Sequence, residues 1–417
     1  MGSQRYCVAK LKVEAAPAVA SLFLFHTPSN GGYAIARAEK LFYEVGIELA
    51  GGDESQVHFG FRDLETGPPL SLPSTFKNAI AYDYSKHEPQ RIRWLADYVR
   101  KNRIRLVVIY DIQPVDPLFR ALHKAGVRAI VSYWGASISS RMPLWKLVLK
   151  RTQIVLSMSK VDGLIFQSQA MADLALYGRG VPPHMIDVVY SGADISVFKP
   201  AHSDYVYRTL NLPRNRRVFV YSGHMEERKG VKTLIEAAIE LLYRRKRTDL
   251  CFLLCGNRQG ESREYEAMYA GLGIDDLIRF GGYRSDMDKI YPSCFCGIIP
   301  TSGWDSFPRS PIEMAAAGLP VIASALGGLP ESVQNGKTGL LFQPGMTSEL
   351  VTCIETLLDK PDLAVEYGAR GRQRCEKELN SENQKRRLRE VFLKRLGMSL
   401  PLLPKEPEAG IQAEALG

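Results

Sequence analysis

No stretch of this 417-residue sequence approaches the ~18–20 consecutive apolar residues that a membrane-spanning helix requires. The apolar segment 15–25 could pass for a secretory leader. Glu14 and Pro17 break it up and glycines follow soon after, so a first β-strand is the better reading. Cysteine is sparse: there are seven, an odd number, at no spacing that a disulfide framework would use. Cys251 and Cys255 share a strand-like run, as do Cys294 and Cys296, and each pair would face one side of its strand. Buried free thiols in a reducing, cytoplasmic setting are the expectation, and a zinc site from these four is the alternative. No nucleic-acid recognition motif is present either. What is in excess is positive charge: 54 Lys and Arg against 45 Asp and Glu, a formal +9. That balance calls for anionic partners, such as nucleotide diphosphates or an anionic membrane face; without a motif, nucleic acid is not expected.

The length exceeds one ordinary core, so two domains are expected. Residues 19–25 read as a strand, 26–32 as a loop ending in Asn30-Gly31-Gly32, and 33–46 as an amphipathic helix. Glycines before a helix start let backbone approach a ligand, although a plain turn explains them equally well. Alternation continues: helix 88–102, strand 105–110, helix 117–124, strand 127–133, helix 144–159, strand 163–166, helix 170–177, strand 186–190. Strands alternating with helices imply a parallel sheet covered on both faces. Residues 199–204 read as a linker. A second series follows: strand 217–221, helix 231–244, strands 250–254 and 277–280. The last helices cover 348–357 and 381–396. The expected division is 1–200, 201–380, a final helix 381–398, and a disordered tail 399–417 rich in proline.

The stretch Gly303-Trp-Asp-Ser-Phe-Pro-Arg-Ser-Pro-Ile-Glu-Met-Ala-Ala-Ala-Gly-Leu-Pro-Val-Ile-Ala-Ser-Ala-Leu-Gly-Gly328 follows the short apolar run 294–300. A buried strand there feeds a loop; a helix begins near Ser310 or Pro311, and Gly318 ends it. Asp305 sits on the loop and Glu313 in the helix. A helix start at the carboxyl edge of a parallel sheet suits an anionic or hydroxyl-rich ligand. The plain alternative is a solvated loop acid and an ordinary helix glutamate. A second motif, Ser222-Gly223-His224-Met-Glu-Glu-Arg228-Lys229-Gly230, also follows a strand and opens a helix. A lysine beside a glycine turn at a helix start is well placed for a diphosphate.

These two segments resemble glycosyltransferase family four, retaining sugar transferases of the GT-B fold. The family pattern is an acid, seven residues, then Glu, closing with Gly-x-Pro-Val-Ile; Asp305, Phe307-Pro308, Glu313 and Gly318 to Ile322 match it, with Asp305 where Glu is usual. The family's Gly-Arg-Leu-x-x-Glu-Lys-Gly maps its lysine onto Lys229 and its arginine onto His224, with Arg228 as a substitute charge. Gly31-Gly32 matches the family's N-terminal glycine loop. Two signals depart from it: Tyr133-Trp134-Gly135 where His-Gly is common, and Ser191-Gly192-Ala193-Asp194 where Asn-Gly-Val-Asp is common.

The resemblance implies an α/β fold of two Rossmann-like domains facing across a cleft, with the C-terminal helix crossing back to the first domain. It implies transfer from a nucleotide-sugar donor to a glycan or glycolipid acceptor, with Lys229, Arg228 and Asp305 in catalytic roles. Gly31, Gly32, Gly223, His224, Ser306, Phe307, Pro308 and Glu313 would bind the donor, Glu313 taking the ribose. The leaving phosphate takes the acceptor proton, so no enzyme nucleophile is named. No metal or other cofactor is expected, because Asp286 and Asp288 read as helix-start acids. The departures leave room for a non-catalytic sugar-nucleotide binder or a soluble small acceptor. Basic clusters lie at residues 91–105, 244–247 and 385–387. Residues 142–150 mix Leu144, Trp145, Leu147, Val148 and Leu149 with Lys146 and Lys150. A helix packed on the sheet with a charged edge is the first reading, and a face lying on a membrane is the second.

Overall fold

The computed structural model describes residues 18–136 and 141–398; the expected tail 399–417 lies outside the described residues. The first series runs β1 (Ser21–Leu24), α1 (Tyr33–Leu49), β2 (Val57–Phe61), β3 (Ala79–Ala81), α2 (Pro89–Lys101), β4 (Leu106–Tyr110), α3 (Pro117–Lys124), β5 (Ala129–Trp134), α4 (Leu144–Leu156), β6 (Gly163–Phe166), α5 (Gln169–Asp173) and β7 (Ile186–Val188). Its sheet has the order β3-β2-β1-β4-β5-β6-β7. Leu22, Phe23, Leu24, Val107, Val108 and Ile109 are all buried, as both faces of a covered parallel sheet require. Sequence reading passed over β2 and β3. His58 and Gly60 interrupt the first of these, and the second is only three residues long.

The second series runs β8 (Arg217–Ser222), α6 (Val231–Ile239), β9 (Leu250–Cys255), β10 (Ile278–Gly282), β11 (Cys296–Ile299), α7 (Arg309–Ala316), β12 (Val321–Ser324) and β13 (Gly339–Phe342). Its sheet, ordered β10-β9-β8-β11-β12-β13, is parallel throughout. This is the doubly wound order, in which strand succession reverses between β8 and β11. Helices α8 (Thr347–Asp359), α9 (Pro361–Lys377) and α10 (Ser381–Arg395) complete the chain. Helix α9 escaped the sequence reading because its buried face uses Ala364, Tyr367, Gly368, Gly371 and Cys375 rather than large aliphatics. Gly368 is required there: a Cβ would meet the carbonyl oxygen of Gly318 at 2.1 Å.

The chain divides into two compact units. Among the described residues, one comprises 18–108, 121–130 and 389–398, and the other 109–120, 131–136 and 141–388. Strands β4 and β5 and helices α3 and α10 are therefore each shared. In the first unit, aromatic residues of β1, β2 and α1 stack into a core, with Phe23 and Phe42 5.1 Å apart. Arg389, in the C-terminal part of α10, belongs to this unit and pairs with Glu48 at 3.1 Å. This is the return of the last helix that the resemblance implied.

Candidate active site

The carboxyl ends of β8 and β11 lie side by side in the second sheet, at its switch point, and each runs directly into one of the two motifs. After β8, Gly223 donates its N–H to Cys255 O at 3.1 Å. The Tyr221 hydroxyl donates to His224 O at 2.6 Å, which fixes the turn while the imidazole stays exposed. Glu227–Lys229 forms a single 3₁₀ turn, and Gly230 then caps α6 in the left-handed region, at φ 70°. No other residue fits at this cap. A Cβ on Gly230 would stand 1.8 Å from Pro300 O, on the chain leaving β11. The two motifs are laced by backbone as well: Ser302 and Gly303 donate to Arg228 O at 2.9 and 2.8 Å.

That lacing brings Lys229 to Asp305. Lys229 Nζ donates to Asp305 Oδ2 at 2.6 Å, and the two side chains are only 15% and 9% exposed. Thr301 Oγ1 adds a longer contact to the same oxygen at 3.4 Å. Gly327 and Gly328 hold the loop from the other side, where a Cβ would meet Asp305 O at 2.1 Å and Ser306 O at 1.7 Å respectively. Arg228 behaves differently. Its guanidinium is exposed, pairs with Glu226 at 2.7 Å and reaches Trp304 O at 3.3 Å. Ser306 Oγ donates to Gly135 O at 3.1 Å. Phe307 is buried against Tyr190, with ring centroids 5.1 Å apart. Pro308 has extended backbone and precedes α7 directly.

Glu313 lies in the second turn of α7 and is buried, 5% exposed. Arg309, one turn earlier, approaches its carboxylate at 3.6 Å and also donates to Gly192 O at 3.0 Å. The i,i+4 spacing of Arg309 and Glu313 was visible in the sequence and went unused. Trp304 was also passed over. Its indole Nε1 is buried with no protein partner, beside the acid loop. Gly31 and Gly32 lie in the first unit, exposed, with Gly32 capping α1 at φ 103°.

Asp286 immediately precedes the short helix Met287–Ile290. Its carboxylate accepts from Arg284 Nε at 2.8 Å and the Tyr205 hydroxyl at 2.7 Å. The four paired cysteines are unbridged thiols, three of them buried. Among the described residues, no three His, Cys, Asp or Glu side chains group so as to hold a metal ion.

Two family models match the chain: "Glycosyl transferases group 1" over residues 207–374 and "Glycosyl transferase 4-like domain" over 50–192. The chain belongs to the group 1 glycosyltransferases. The first match takes in both motifs, from β8 through Gly328. Among curated relatives, the D-inositol 3-phosphate glycosyltransferase of Corynebacterium kroppenstedtii is 29% identical over 216 residues, 50% of this chain and 48% of that protein. The chain thus spans about half the length of such relatives. In three dimensions it resembles a glycosyltransferase of Rickettsia africae, with TM-score 0.76, 17% identity, and 91% of this chain and all of that one covered. Anabaena HepE, solved with UDP, gives TM-score 0.71 and 18% identity over 90% of this chain and 100% of that one. These solved structures share the fold of two Rossmann-like domains seen here.

Proposed function

We propose that the chain transfers a sugar, with retention, from a nucleoside-diphosphate sugar to a glycan or lipid-linked saccharide acceptor at an anionic membrane face. The observation that carries the donor half is the Lys229–Asp305 pair at the switch point of the second sheet. An ammonium has three donors; one goes to Asp305, and the others are directed to the donor's phosphate oxygens. Negative charge grows on those oxygens as the glycosidic C–O bond breaks, so Lys229 stabilises the transition state more than the bound donor. The acceptor oxygen forms the new bond on the same face of the sugar, and its proton passes to the leaving phosphate. Arg228 adds positive charge, and the backbone and side chains from Gly223 to His224 border the diphosphate. Asp305, Ser306 and the chain at Phe307-Pro308 orient the sugar, with the Trp304 N–H as a further donor. Glu313, positioned by Arg309, takes the ribose diol.

The acceptor half rests on α4. Leu144, Trp145, Leu149 and Leu156 are each more than 60% exposed, and Ile154 is the helix's buried residue. The expected packing against the sheet is therefore replaced by an outward apolar face. Residues 141–160 carry Arg141, Lys146, Lys150, Arg151 and Lys160 and no acid, a composition suited to an anionic interface. A soluble phosphorylated polyol is the second reading, favoured by the name of the Corynebacterium relative.

The deciding experiment is titration calorimetry of uridine and guanosine diphosphate sugars against the native chain and Glu313→Ala. We expect binding to be lost in the variant with an unchanged circular dichroism spectrum; equal affinity in both would overturn the donor reading.

A further inference from the structure

Beside α4, within the second unit, lies a cavity of about 190 Å³. Trp134, Leu164, Phe166, Ala175 and Val181 give it an apolar wall. Gln113, Lys150 and Arg179 also line it, and no acid is among its lining residues. Trp134 is 9% exposed, and its Nε1 is buried without a hydrogen-bond partner. An unpaired buried N–H is destabilising by about 1–3 kcal/mol, so an acceptor is missing from this wall. An ordered water held by Trp134, Gln113, Lys150 and Arg179 would satisfy the N–H alone and leave the apolar wall uncovered. The volume is below the roughly 300–1,000 Å³ of pockets that enclose a whole ligand. Part of a larger molecule fits: an apolar segment joined to an anionic, oxygen-bearing group.

We propose that this cavity binds a single-chain anionic amphiphile, the chain lying against Leu164, Phe166, Ala175 and Val181 and a head-group oxygen accepting from Trp134 Nε1–H. Lys150 and Arg179 balance the head-group charge. The exposed apolar face of α4 adjoins the cavity through Lys150, so a chain leaving a bilayer along that helix meets it directly. The inference deepens the membrane-borne acceptor reading, on which its place in the reaction rests. In that reading the pocket holds the first carbons and the phosphate of a lipid-linked acceptor.

The test is calorimetry of the full chain with dodecyl phosphate below its aggregation concentration. Inorganic phosphate and dodecyltrimethylammonium serve as head-only and opposite-charge probes. We expect one-to-one binding of dodecyl phosphate and none of inorganic phosphate, with the cationic amphiphile at least about tenfold weaker. Trp134→Phe keeps the ring and removes the donor, and should weaken dodecyl phosphate about tenfold. Ala175→Trp fills the cavity and should abolish binding; Val181→Phe is the second filling variant should the first fail to fold, with circular dichroism as the check. No binding of dodecyl phosphate overturns the proposal. So does binding that folded filling variants leave unchanged, which would mark adsorption on α4, and so does equal affinity for the cationic amphiphile. No nucleotide is present, so loss of donor binding in Glu313→Ala and loss of amphiphile binding here are separate outcomes.

Discussion

Lys229 and Asp305 form a nearly dry pair, and each is the other's closest charged neighbour in the site. Removing one partner of such a pair typically costs about 3–5 kcal/mol, because the remaining charge stays buried. Lys229→Ala should therefore lower stability as well as turnover, and the two effects can be separated. The double variant Lys229→Ala, Asp305→Ala should regain most of the lost stability in denaturant unfolding, yet remain as inactive as the single variant. We expect kcat to fall by about 10²- to 10³-fold in Lys229→Ala with a smaller change in donor Kd. A kcat change smaller than the Kd change would make the lysine a binding residue only. Arg228 is exposed and already held by Glu226, so in the proposed donor site its charge would act less directly than sequence adjacency to Lys229 implied.

At the scale of elements, positive charge separates into two kinds. The 244–247 cluster is neutralised at home: Arg245 pairs with Glu240 and Glu355, and Arg247 with Asp249 and Asp359. It follows α6, whose last turn widens into a π-turn at Glu240–Arg244, so the helix read as one piece over 231–244 changes pitch there. Helix α4 has no acid to neutralise it, and its apolar residues face outward. Each Lys or Arg near an anionic surface contributes about 1 kcal/mol, screened as salt rises. Co-sedimentation with phosphatidylglycerol vesicles should be salt-sensitive and should largely disappear in Lys146→Glu, Lys150→Glu, while neutral vesicles bind neither protein. Equal sedimentation of both proteins would remove the membrane from the acceptor reading.

For the whole molecule, two responses to conditions follow. If side-chain cations meet the diphosphate as proposed, activity should survive EDTA; the Asp286 carboxylate is already engaged by Arg284 and Tyr205. Complete loss restored by magnesium or manganese would reverse this. The second response is to acid. His58 of β2 is 3% exposed, and burial lowers its pKa from 6.5 to about 4, with Nδ1 on the Tyr98 hydroxyl at 2.8 Å. A histidine depressed in the folded state takes up its proton more readily when unfolded. Its contribution is thus complete above pH 6.5 and is lost as pH falls towards 4, by roughly 3 kcal/mol in all. Melting temperatures measured between pH 7 and 4 should fall, and the part due to His58 should vanish in His58→Leu.

The sequence by itself determined the alternation of strands and helices, the two motifs with their spacing, and hence the family and fold. These are local signals: apolar runs, glycines at turns, and acids and lysines at helix starts. Glycine positions carried more than the motif suggested, since Gly230, Gly327 and Gly328 stand where other backbone passes within contact of a missing Cβ. Three things only the tertiary structure decided. It joined Lys229 to Asp305, 76 residues apart in the chain, because β8 and β11 became neighbours at the switch point. It brought Arg309 to Gly192 O, and it turned the apolar side of α4 outward, with the unpaired Trp134 N–H beside a neighbouring cavity. Periodicity records that a helix has an apolar face. What that face meets is set by long-range packing, which no window of sequence contains.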